Sequence, residues 1–110
     1  MISDRIEKIE ATLKGAATLP DETRRQLLEL LTDLKAEIAP LSATHGDDVQ
    51  SIARFAEASV HETVRPERTP ELAEAALQGL RSSVEGFEAS HPQLVGIVNR
   101  IAVALSNMGI

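Results

Sequence analysis

The sequence predicts an all-α fold, a four- or five-helix bundle assembled from antiparallel helical hairpins. Three observations predict it. Aliphatic residues recur at alternating spacings of four and three along successive segments, which lines them up on one side of a helix with 3.6 residues per turn. Prolines and glycines fall between those segments and punctuate them. Apolar residues make up 43% of the 110-residue chain while aromatics reach only 2%, so the core is aliphatic and the length suits one domain, 1–110.

Taken in order, Ser3 is positioned to cap a first helix whose stripe is Ile2, Ile6, Ile9 and Leu13, with Gly15 to end it. Pro20, Asp21 and Glu22 then open a second helix, because proline presets φ and carboxylates suit the positive helix end. Its stripe is Leu27, Leu31, Leu34 and Ile38, widened by Leu28 and Leu30, and Pro40 stops it. Residues 41–48 form a connector. Val49, Ile52, Ala56, Val60 and Val64 give a weaker third stripe, ended at Arg65 because a residue before proline leaves the helical basin.

Residues 65–70 form a second connector. Thr69 as cap, Pro70 at the first helical position and Glu71 beside it start a fourth helix, with Ala73, Leu77, Leu80, Val84 and Phe87 as its stripe. Ser90 with Gln93 matches a capping box for the last helix, whose stripe is Leu94, Val98, Ile101, Leu105 and Met108. That helix is apolar nearly all round. Its partly polar strip is Gly96, Asn99, Arg100, Val103 and Asn107, so it must be buried on several sides, and a homodimer is expected to supply the extra neighbours. With about 17 residues and a central arginine it is too short and wet for a membrane span.

The composition excludes several function classes. There are no cysteines, which removes disulfides, thiolate metal sites and a cysteine nucleophile and fits a cytoplasmic location. Eleven Lys and Arg against 17 Asp and Glu give a formal charge of −6, which repels nucleic acid. The eight serines include no Gly-x-Ser-x-Gly turn, and the six glycines form no phosphate loop. Arg24-Arg25 lies beside Asp21 and Glu22, so its field is cancelled. Glu71 and Glu74, and Glu85 and Glu88, belong to a solvated face.

Two arrangements resemble chemistry. His61 follows Glu57 by one helical turn, and His45 stands beside Asp47 and Asp48. Either would need three or four converging ligands to hold a metal, so no catalytic, cofactor-binding or metal-ligating residue is assigned, and no cofactor is expected. His91 in the last corner packs and caps, although its ordinary pKa of about 6.5 would suit a pH switch.

The run Phe87-Glu88-Ala89-Ser90-His91-Pro92, continuing to Leu94, Asn99-Arg100-Ile101 and Leu105-Ser106-Asn107-Met108-Gly109-Ile110, resembles the signature of a bacterial family of short helical proteins catalogued as domain of unknown function 4404. The amino-terminal third, with Leu19-Pro20-Asp21-Glu22 before a leucine-rich helix, is also similar. The resemblance implies a helical fold and a bacterial origin, and it implies no activity.

The expected function is therefore a non-catalytic structural or protein-interaction module that self-associates. A carrier of small apolar ligands or lipid is the alternative, and an enzyme using His61 and Glu57, or His45 and the aspartates, comes last. Ile101 and Leu31 are expected at the centre of the core.

Overall fold

A computed structural model describes residues 2–108, apart from the side chain of Ser3. Among the described residues there are five α-helices: α1 (Ile2–Gly15), α2 (Asp21–Ile38), α3 (Gly46–Val64), α4 (Pro70–Ser83) and α5 (Pro92–Ser106). Among the described residues there is no strand. Ile6, Ile9, Leu13, Leu27, Leu31, Leu34, Ile52, Leu77, Leu80, Leu94, Val98, Ile101 and Leu105 are all buried, so the four-and-three spacing marks the inward faces. Fully burying each such side chain contributes roughly 1.5–3 kcal/mol.

The helices close into a ring. α1 lies against α2 and α3, α3 packs most extensively on α4, α4 meets α5, and α5 returns to α2. Partners therefore pair across the two hairpins, while the consecutive helices α2 and α3 barely touch because α1 lies between them. Arg5 of α1 pairs with Glu57 of α3, and Glu7 reaches Lys35 of α2 at 3.7 Å.

Arg24 ties the first corner. It donates to the carbonyls of Leu13 (3.1 Å), Ala16 (2.6 Å) and Leu19 (3.2 Å), which ties the last turn of α1 to the segment that leads into α2. Arg68 does the same at the other side, donating to the Met108 carbonyl at 2.9 Å just past α5.

Four local expectations change. Ser3 is a helical residue within α1 rather than its cap. The helix-four stripe runs to Phe87, but the α-helix ends at Ser83 and continues through Val84 into a 3₁₀ turn, Glu85–Phe87, that still buries Phe87. Thr69 stands at the start of α4 in extended conformation, but its side chain makes no capping bond. The Ser90–Gln93 box does not form: it would make His91 the first helical residue, yet Pro92 forces His91 out of the helical basin, to φ −138° and ψ 65°. His91 takes the cap position instead. The expected stop at Gly109 with Ile110 folded back lies outside the described residues.

The chain also repeats itself. Shifting the sequence by 46 positions superimposes α2 and α3 on α4 and α5. Buried positions coincide at Leu31/Leu77, Leu34/Leu80, Ile38/Val84, Leu41/Phe87, Ile52/Val98 and Ala56/Ala102. Both hairpins carry a 3₁₀ turn after their first helix, and both then close with a 2.8 Å bond, His45 N–H to the Leu41 carbonyl and His91 N–H to that of Phe87. The copies diverge where α1 sits. On α3 the buried Ala53 and Val60 flank Glu57 by about a turn, whereas their counterparts on α5 are the exposed Asn99 and the half-buried Ser106. With no helix to cover that face, α4 and α5 close directly on each other.

Candidate functional site

The two repeated corners bring three rings together. His45 and His91 each precede the first residue of a helix, and Phe87 lies against both, its centroid 5.5 Å from each in edge-on geometry. The histidine centroids are 6.2 Å apart. Each Nδ1 is held by the hydroxyl of the preceding residue, Thr44 at 2.8 Å and Ser90 at 2.9 Å. A groove of about 420 Å³ runs from this cluster between α3 and α4, past Asp48, Ser51, Ser82 and Ser83 to Phe55 and Gly79. A Cβ at Gly79 would overlap the Phe55 ring where it now rests, so the ring would have to shift to admit one.

The second candidate surface lies over α2 and α5, which run antiparallel: Asp33, Ala36 and Glu37 border one depression of about 570 Å³ with Pro92, Gln93, Gly96, Ile97 and Arg100. Gln26 borders the next, of about 250 Å³, with Asn99, Val103 and Asn107. Arg100 stands between the two. The strip expected on α5 is on the outside: Asn99, Arg100 and Asn107 are exposed and Val103 is 54% exposed. Arg100, Asp33 and Glu37 make no hydrogen bond or ion pair among the described residues. Elsewhere on α2 the charges do pair; Arg25 titrates above its ordinary value because it hydrogen-bonds to Glu22 and feels the charges of Glu22 and Glu29.

The residues singled out for chemistry scatter. Glu57 faces Arg5 rather than His61, whose exposed ring stands 4.0 Å from Glu62. His45 joins the ring cluster, with its Nδ1 engaged by Thr44. Among the described residues no three His, Asp or Glu side chains gather where they could hold a metal ion. No described helix is long and apolar enough to cross a membrane. Single-helix reading missed the His45–Phe87–His91 cluster; the signal for it is the repeated Ala43-Thr44-His45 and Ala89-Ser90-His91.

Comparison with known proteins gives one match. The family model described as Domain of unknown function (DUF4404) covers residues 2–110. No curated protein and no solved structure matches the chain.

Proposed function

The chain belongs to the family described as Domain of unknown function (DUF4404), a title that assigns no chemistry, and we propose that it is a non-catalytic interaction module that self-associates. One observation supports this reading above the others: the most apolar helix of the bundle, α5, turns a strip containing Val103 (54% exposed) outward, between depressions whose charged groups have no partner among the described residues. An exposed aliphatic residue beside unpaired charges on two rigid helices is a surface that another protein can cover without ordering any chain. Glu57 pairs with Arg5, and the Nδ1 atoms of His45 and His91 are engaged by Thr44 and Ser90.

Light scattering across a concentration series tests the reading. It should return a mass above the 11.9 kDa of one chain at concentrations of tens of micromolar and above, as expected for a small interface of modest affinity. A monomer at every concentration overturns it.

A further inference from the structure

We propose that the partner is a second copy of this chain, seated two-fold symmetrically with the two α5 helices crossing antiparallel at Gly96; this rests on the self-association reading and gives it a face and a register.

Gly96 carries the argument first. Glycine weakens a helix interior relative to alanine, and its missing side chain lets another backbone come close. Nothing among the described residues does: a Cβ on Gly96 would meet none of their atoms within 4 Å, the neighbouring residues and the helix's own backbone aside. Gly79 is the contrast, because its missing side chain is explained by Phe55. The close approach that Gly96 permits is thus left to a neighbour outside the chain, and a helix crossing at a glycine brings backbones together.

Charge then selects the neighbour. A two-fold crossing at Gly96 sets Arg100, one turn later, beside Pro92 of the other copy. Pro92 borders the same depression as Asp33 and Glu37. Arg100 of each copy therefore comes to the carboxylates of the other, groups whose depression it also lines in its own chain without pairing with them among the described residues. The surface is complementary to itself, as an isologous interface requires. Val103 lies on the same α5 strip, two turns from Gly96, and extends the contact with apolar area.

Sedimentation velocity on the full chain tests this. Arg100→Glu should weaken the dimer at least about tenfold, and the triple change Arg100→Glu with Asp33→Lys and Glu37→Lys should restore it by reversing both sides of the pair. Gly96→Leu should weaken association at least about tenfold, and Gly96→Ala, whose Cβ meets no described atom within 4 Å, should not lower the melting temperature measured at monomeric concentration. Leu72→Ser, on the exposed face of α4, should leave the dimer unchanged. A wild-type dimer indifferent to Arg100→Glu and Gly96→Leu, or one broken by Leu72→Ser, overturns the proposed seam and spares the self-association reading. A wild-type chain that stays monomeric overturns both.

Discussion

His45 and His91 hold the same place in two copies of one hairpin, and their rings lie 6.2 Å apart with Phe87 against both. The ring cluster marks where the two corners close on each other. Phe87 is 5% exposed and its counterpart is Leu41. Phe87→Leu, which makes the corners alike, should cost under about 1.5 kcal/mol, whereas Phe87→Ala should cost about 3–5 kcal/mol by opening a cavity at the junction. Urea unfolding of both variants measures this. Equal, small losses would show that the cluster does not hold the corners together.

Gly79 and Phe55 make a second paired test. Gly79→Ala should destabilise the fold although alanine is the better helix former, because its Cβ overlaps the Phe55 ring where α3 and α4 pack most extensively. With the ring removed, as in Phe55→Ala, the same Gly79→Ala change should stabilise by up to about 1 kcal/mol, the difference in helix propensity. The double-mutant cycle reads the sign reversal directly. A Gly79→Ala change that behaves alike in both backgrounds would rule out the steric account.

Ile101 is fully buried and Leu31 is 1% exposed, so either truncation to alanine should cost about 2–5 kcal/mol. His61→Ala should change stability by less than about 0.5 kcal/mol, since its ring is 67% exposed. Denaturant midpoints at constant slope test all three, and a comparable loss for His61→Ala would mean that this face is covered in solution.

The sequence shows most of the helices for a physical reason: a one-sided helix must repeat its apolar residues every three or four positions, and Ile6, Ile9 and Leu13 or Leu27, Leu31 and Leu34 do so and are buried. Helix ends are less legible because local rules compete. At Ser90–Gln93 the steric demand of Pro92 on His91 outweighs the capping preference of serine. The site is less legible again. Glu57 and His61 share a face by spacing, but the partner of Glu57 is Arg5, 52 positions away, and no local pattern specifies which helix will cover that face. The duplicated corner is written in Thr44-His45 and Ser90-His91, yet it emerges only when one hairpin is laid over the other. Nor does amphipathicity reveal that α2 pairs with α5 rather than with α3.

Ser59 and Thr63 stand one turn apart on the buried face of α3, at 0% and 3% exposure, and neither hydroxyl has a hydrogen-bond partner among the described residues. A hydroxyl taken from water without a replacement bond costs about 1–3 kcal/mol; Ser59 is fully buried, and Thr63 borders a depression shared with Thr18, Arg68 and Asn107. Thr63→Val keeps the shape and removes the oxygen, so it should raise stability by roughly 1 kcal/mol. Ser59→Ala should do the same, helped by the higher helix propensity of alanine, which adds a few tenths of a kcal/mol. The two sites are adjacent on one face, so the double variant measures whether their gains add or share one repacked volume. Chemical denaturation of the two single variants decides the matter. A loss of stability in either would mean that the hydroxyl finds a partner in solution, such as a carbonyl one turn earlier in α3, and that the interior of this helix is held by a bond rather than by packing alone.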